Sequence, residues 1–403
     1  ELWKSDGTAS GTVMVKDINS GSGSSSSYYL TAVGNTLYFR ADDGTNGYEL
    51  WKSDGTASGT VMVKDIVNGS GNSYPTSLTA VGNTLYFRAD DGTNGKELWK
   101  SDGTANGTMM VKDINSGSSS SYPSELTAFG NTLYFSANAG TNGSELWKSD
   151  GTANGTMMVK DIYISTINNQ FSGSSNPSEL TVVGNTLFFR ADDGINGREL
   201  WKSDGTANGT VLVKDIWSGS GEGYPFELTS TGNTLYFRAD DGTNGQELWK
   251  SDGTASGTVM VKNINSGSSN PNELTALGNT LYFSATDGTN GSELWKSDGT
   301  ASGTVMVQDI NSGSSSSSPY YLTAVGNTLY FQANDGTNGN ELWKSDGTSS
   351  GTVMVKDIVS GSSSSYPSDL TAVGNTLYFT VDDGTNGQEL WANMASETEV
   401  TYS

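Results

Sequence analysis

The stretch Glu49-Leu50-Trp51-Lys52-Ser53-Asp54-Gly55-Thr56 decides the fold, because the chain repeats it. The motif begins at Glu1 and returns at Glu49, Glu97, Glu145, Glu199, Glu247, Glu293 and Glu341, with a shortened ninth copy at Glu389-Leu390-Trp391. Six of the eight spacings are 48 residues, and the others are 54 and 46. A period of about 20–50 residues marks a repeat architecture, in which each unit buries its apolar surface against its neighbours.

Working outward from the motif, each unit reads as four strands. Leu30-Thr31-Ala32-Val33 is a β-prone run closed by Gly34-Asn35, a Gly-first pair suited to a two-residue type II′ hairpin turn. Thr36 to Ala41 follows, then the turn cluster Asp42-Asp43-Gly44-Thr45-Asn46-Gly47, then Glu49 to Ser53 as a third strand. Asp54 to Gly59 turns again, and Thr60 to Ile66 makes the fourth. No segment carries the 3.6-residue periodicity of a helix. A Ser/Gly-rich linker such as Asn19 to Tyr29 then crosses to the next unit. Four-stranded units joined in this way are the blades of a β-propeller. An open β-solenoid is the rival, but 48 residues are too many for one coil of short strands.

Counting strands gives eight first strands, starting near Leu30, Leu78, Leu126, Leu180, Leu228, Leu274, Leu322 and Leu370. The expectation is therefore an all-β, eight-bladed propeller over residues 1–391, with 392–403 as a divergent tail. Residues 1–18 supply a third and fourth strand, so they are expected to complete the blade begun by 370–383 and to close the ring, removing free sheet edges. Glu389-Leu390-Trp391 competes for that place, and Glu1-Leu2-Trp3 is expected to win because Asp6-Gly7-Thr8 keeps the full consensus.

Composition removes whole classes of function. The chain of 403 residues has no histidine and no cysteine, which excludes disulfides, thiolate and imidazole metal ligands, and the commonest bases and nucleophiles. Its 21 basic and 44 acidic residues give a net charge of -23, which repels nucleic acid and anionic membranes. No run of about 18 apolar residues exists to insert in a membrane. Phosphate-loop motifs are absent, and uniform repeats offer no single catalytic constellation, so no enzyme activity is expected. The chain opens in mid-repeat without methionine, which suggests a piece of a longer protein with neighbouring domains.

The eight full copies of the motif resemble the bacterial ELWxxDGT repeat family, and the resemblance extends to about residue 391. Membership implies tandem repeats in large secreted or surface-associated bacterial proteins, propeller architecture and no defined reaction. The function it implies is a non-enzymatic extracellular structural or interaction scaffold. A multivalent glycan-binding propeller and a calcium-dependent adhesive module are the alternatives.

Four sets of residues are candidates for a role. Trp3, Trp51, Trp99, Trp147, Trp201, Trp249, Trp295 and Trp343 never vary, and fit packing between adjacent blades better than sugar stacking. Arg40, Arg88, Arg190 and Arg238 are each followed two residues later by Asp42, Asp90, Asp192 and Asp240, which on one strand face reads as a local ion pair. A carboxylate-binding or sugar-binding arginine is the functional alternative. The turn acids Asp43, Asp91, Asp193, Asp241, Asp287, Asp335 and Asp383 are weak calcium candidates, because each turn offers few carboxylates and Asp also favours turns by bonding the local backbone. No cofactor is expected beyond that possible calcium. Symmetry fails at Tyr163, Phe171, Arg198, Trp217 and Phe226, so a protein or glycan partner is expected on the rim there, with drift in exposed loops as the alternative.

Overall fold

The computed structural model describes residues 1–163, 173–394 and 401–402. The chain is all-β, with eight four-stranded antiparallel sheets, the blades of an eight-bladed β-propeller, and one further two-stranded sheet. Among the described residues no helix is long and apolar enough to cross a membrane. The two-stranded sheet pairs β1 (Leu2–Lys4) with β2 (Val13–Lys16). The first complete sheet runs β3 (Tyr28–Val33), β4 (Thr36–Asp42), β5 (Tyr48–Ser53) and β6 (Val61–Lys64), and the other seven repeat its order. Gly34 sits at φ +59° between β3 and β4, as a Gly-first two-residue turn requires.

Alternation along the strands sets the packing. In β4 and β5, Tyr38 and Leu50 face one side, while Phe39, Ala41 and Trp51 face the other. Both faces are buried. Val33, Tyr38, Leu50 and Val63 pack on Leu85, Phe87, Ala89 and Trp99 of the next sheet. Phe39, Ala41 and Trp51 pack on Leu2, Val15 and Ile18 of the N-terminal pair. Each buried aromatic contributes on the order of 2 kcal/mol from lost water contact alone.

Polar lacing accompanies this packing. Lys52 Nζ donates to Gly103 O at 2.8 Å, Lys64 Nζ to Thr108 O at 2.9 Å, and Thr31 Oγ1 to Leu78 O at 3.4 Å. The stem of Lys64 crosses the ring of Trp99, with Nζ 6.0 Å from its centroid. Tyr38 Oη lies 2.4 Å from where a Cβ on Gly103 would stand, so only glycine fits beneath the tyrosine.

The chain divides into two compact units, Glu1–Lys4 with Val13–Leu212, and Ser5–Thr12 with Val213–Ser403. The first holds the N-terminal strand pair and the sheets that begin at Tyr28, Thr76 and Ser124. In the second lie the sheets that begin at Phe226, Asn272, Tyr320 and Ser368.

The expected closure of the last blade by residues 1–18 is corrected. Gln388–Met394 pairs with Thr376–Asp382 along its whole length, and Thr401–Tyr402 pairs with Trp391 and Ala392 as the fourth strand. Residues 392–394 and 401–402 are therefore part of the last sheet rather than a tail outside the fold. A strand that follows its partner through a short turn closes a far smaller loop than one recruited from the other end of the chain. Trp391 also fills its place, at 7% exposure, against Leu342 and Phe379. The N-terminal turn sits beside this sheet instead of completing it. A Cβ on Gly7 would lie 3.3 Å from Tyr378 Oη, the relation Gly103 has to Tyr38 in the following sheet.

Candidate functional site

The most regular polar feature is the glutamate of each Glu-Leu-Trp. Glu49, Glu97, Glu145, Glu199, Glu247, Glu293 and Glu341 are fully buried. Glu49 accepts from the backbone N–H groups of Ile66, Val67 and Ser73, and its Oε2 lies 2.6 Å from Ser73 Oγ. The carboxyl thereby ties the long Ser/Gly linker to the third strand and satisfies the linker's buried donors. Burial pushes Glu49 and Glu145 up to about 7, against the opposing pull of these donors. Ser73 Oγ can also donate to Tyr48 O at 3.3 Å, which leaves its oxygen free to accept from a protonated Glu49. Sequence reading missed this role. The available signal was an acidic residue retained in all nine copies on an otherwise buried strand.

The acidic turns are self-satisfied. Asp43 Oδ1 accepts from Thr45 N and Asn46 N, and Oδ2 accepts from Asn46 Nδ2 at 2.8 Å. Asp91, Asp193, Asp241, Asp335, Asp287 and Asp383 repeat the pattern. In the other turn Asp54 Oδ1 accepts from Thr56 N and Thr56 Oγ1, which holds its carboxyl below the usual range. Among the described residues no three acidic side chains converge. A cleft of about 470 Å3 between Tyr282, Lys296, Asp298, Asp346 and Gly347 is similarly committed, since Lys296 Nζ donates to Gly347 O at 2.8 Å.

The arginines do not behave as the ion-pair reading expects. Asp42 and Asp90 accept from the turn glycines Gly44 and Gly92. Arg88 directs Nε to Thr76 Oγ1 at 3.0 Å and Nη1 to Pro123 O at 3.4 Å. Arg238 reaches Pro271 O, lies 5.0 Å from the Phe226 ring, and holds down the Glu227 carboxyl that burial raises. The pairing is corrected for Arg40 and Arg88. Each arginine shares a strand face with its aspartate, but reaches across the sheet while the aspartate caps its own turn.

Arg40 is the exception that matters. Tyr28 stands opposite it, where Thr76 stands opposite Arg88, so the hydroxyl that would accept from Nε is replaced by a ring. Arg40 Nε is buried without a hydrogen-bond partner. The guanidinium carbon instead lies 5.3, 4.8 and 5.1 Å from the rings of Tyr28, Tyr29 and Tyr48. Tyr74 stacks on Tyr48 at 5.6 Å and 23°. Tyr28, Tyr29 and Tyr74 are each about half exposed. Tyr29 sits at φ +60°, on the bulge that shifts register between Tyr28 and Thr31. The result is a cation held by aromatic faces with its donors unspent. Tyr320 and Tyr321 repeat the tyrosine pair in the seventh sheet, but Gln332 replaces the arginine.

The residues singled out for breaking symmetry do different things. Tyr163 covers Gly173 and Gly194, and Trp217 covers Gly221 and Gly242, each spanning its own linker and the acidic turn of the next sheet. Arg198 stands opposite Asp192 on the neighbouring strand. Phe226 lies under Arg238. Phe171 lies outside the described residues. Seven of the eight motif tryptophans, Trp51 to Trp343, are 6–7% exposed. Trp3 differs from them: it is 58% exposed, and among the described residues no strand pairs with the other edge of β1.

No protein-family model matches the chain, and no curated protein does. Solved structures do resemble it. A puromycin hydrolase is 12% identical over 99% of this chain and 55% of its own, with a TM-score of 0.46. A puromycin-hydrolyzing peptidase of Mycobacterium tuberculosis is 9% identical over 94% and 53%, with a TM-score of 0.44. Prolyl oligopeptidase B of Galerina marginata is 11% identical over 81% and 49%, with a TM-score of 0.44. This chain thus spans about half the length of the structures it matches. These neighbours are named as peptidases and a hydrolase rather than scaffolds, lectins or adhesins, which counts against the expected scaffold function and its lectin and calcium-adhesin alternatives. At these identities the likeness is one of fold.

Proposed function

We propose that the chain binds carboxylates, and that the ligand is the carboxylate of a peptide or small organic acid docked on Arg40. One observation carries this reading. Arg40 is fixed by three tyrosine rings yet donates no hydrogen bond, while Arg88, at the equivalent place in the next sheet, donates to Thr76 and Pro123. A planar guanidinium with free donors matches a carboxylate in a two-point fork. Half-exposed rings beside it offer apolar area to the rest of the ligand at little entropic cost.

A charge-assisted pair of this kind is worth about 1.5–3 kcal/mol, and stacking adds about 1 kcal/mol, so affinities near the millimolar range follow. The net charge of -23 opposes any anion, so the site favours ligands with a single carboxylate. The test is titration of tyrosine fluorescence with an N-acetylated aromatic dipeptide and its C-terminal amide. Saturable binding of the acid, at least tenfold weaker for the amide and for Arg40→Gln, is expected. Equal affinity for acid and amide would overturn the reading.

A further inference from the structure

In the cleft between Tyr282 and Gly347 the donors are engaged and the acceptors are not. The cleft lies within the second compact unit, and Tyr282, Lys296, Ser297, Asp298, Asp346 and Gly347 are among its walls. Lys296 Nζ donates to Gly347 O at 2.8 Å, and Ser297 Oγ shares a hydrogen with Thr304 Oγ1 at 2.7 Å while accepting from Gly299 N. Asp298 Oδ1 accepts from Thr300 N and Thr300 Oγ1, and Asp346 Oδ1 accepts from Thr348 N and Thr348 Oγ1. Among the described residues, Oδ2 of each receives no hydrogen bond. The turn acid Asp287 differs, because Asn290 Nδ2 occupies its Oδ2 at 2.8 Å. Tyr282 adds a third open acceptor. The residue is only 5% exposed, its hydroxyl sits beneath Gly347, and among the described residues that hydroxyl has no hydrogen-bond partner.

We propose that this cleft binds the guanidinium of an arginine side chain carried by a basic peptide. Open acceptors require a ligand that brings donors, and two carboxylates against one ammonium require a cation. A guanidinium presents five N–H donors in one plane and is more weakly hydrated than an ammonium, so it can serve two carboxylate oxygens and a phenol together. At about 470 Å3 the cleft falls within the range of ligand pockets, about 300–1,000 Å3. Protonation states suit this ligand. Bonds from Thr300 and Thr348 hold Asp298 and Asp346 below the usual carboxylate range, so both are ionised at neutral pH. Burial, and then the charge of Asp346, push Tyr282 up, so its phenol stays a neutral hydroxyl whose oxygen can accept. The arrangement recurs. Asp298 faces Tyr236, Asp150 faces Tyr86 and Asp204 faces Tyr134, each tyrosine hydroxyl lying beneath its own glycine, Gly299, Gly151 and Gly205. No residue of the Arg40 site takes part, so this proposal stands or falls separately from carboxylate binding.

Because the cleft recurs, its copies serve as controls for one another. The chain is labelled with 15N-glycine, and the amides of Gly347, above Tyr282, and Gly299, above Tyr236, are followed during titration with N-acetylarginine amide. This probe carries no carboxylate for Arg40. N-acetylcitrulline amide, of the same shape but neutral, and N-acetyllysine amide are titrated alongside. Saturable shifts of both glycines are expected, with affinity at least tenfold lower for citrulline and at least threefold lower for lysine. Tyr282→Phe and Asp346→Asn should each weaken the Gly347 response at least fivefold and leave that of Gly299 within twofold. If Tyr282→Phe disturbs both glycines through a loss of packing, Asp346→Asn decides, since it keeps an oxygen to cap the turn and removes only the charge. Equal affinity for arginine and citrulline, or for arginine and lysine, would overturn the proposal. So would a Gly347 response that Asp346→Asn leaves unchanged.

Discussion

The buried glutamates make the stability of this chain run opposite to the usual acid-denaturation pattern, and the effect is large enough to measure. Glu49 and Glu145 rise from 4.5 to about 7 on folding, and Glu97, Glu247, Glu293 and Glu341 are raised as well, each chiefly by burial. A raised carboxyl stabilises the fold fully below its unfolded value and loses that contribution as pH climbs through the folded one. Between about pH 4.5 and 7 the unfolded chain releases these protons while the folded chain keeps them, so stability falls with rising pH. At about 1.4 kcal/mol per unit, Glu49 and Glu145 each account for roughly 3 kcal/mol of that fall. Asp43, Asp91 and Asp241 act in the opposite sense: their lowered values give stability that is lost only below about pH 4. The optimum should therefore lie near pH 4 to 5.

The assay is urea unfolding at about pH 5 and about pH 8, in low and high salt. Self-repulsion at a net charge of -23 also weakens the fold as pH rises, but salt screens that component and not the buried glutamates. Glu49→Gln separates the two further. The amide keeps one accepting oxygen in place of two, so the backbone N–H groups on one side, Ile66 N or Val67 N with Ser73 N, lose their acceptor and this variant starts about 1–2 kcal/mol less stable at pH 5. It should then lose less than the unaltered chain on going to pH 8. A midpoint that rises from pH 5 to pH 8 in high salt, or an identical pH slope for Glu49→Gln, would refute the reasoning.

Five further substitutions test the packing and the polar contacts. Asp65 Oδ1 is buried without a donor, while the equivalent Asn263 donates to Asn244 Oδ1 at 2.8 Å, so Asp65→Asn should stabilise by about 1 kcal/mol in urea unfolding. Gly103→Ala places a methyl 2.4 Å from Tyr38 Oη at φ +86° and should cost on the order of 2 kcal/mol; adding Tyr38→Phe should recover part of it in a double-mutant cycle. Trp51→Ala should cost about 3–5 kcal/mol and Trp3→Ala less than about 0.5 kcal/mol, although both occupy the same motif position.

Period and alternation made most of the fold legible. The third strand read as Glu49 to Ser53 is Tyr48–Ser53, and the second, read as Thr36 to Ala41, is Thr36–Asp42. The fourth strand is shorter than its apolar run, Val61–Lys64 against Thr60 to Ile66, because Ile66 N turns away to Glu49. Which end of the chain completes the last sheet was not legible. Consensus strength favoured Glu1-Leu2-Trp3, but chain connectivity favours the strand that follows directly, and Gln388–Met394 keeps the apolar pattern it needs. The site was half visible. Arg40 stood out through its co-occurrence with Asp42, yet its true neighbours come from Tyr28, Tyr29 and Tyr48 on flanking strands, which sequence spacing alone does not bring together.

The last sheet is completed by its own C-terminal strands. Hydrogen exchange of the Thr376–Asp382 amides, followed in a chain lacking residues 1–18 and in one lacking 388–403, addresses it directly. Strand pairing with Gln388–Met394 predicts that these amides stay protected in the first and exchange rapidly in the second. Rapid exchange without residues 1–18, with protection kept without 388–403, would contradict it.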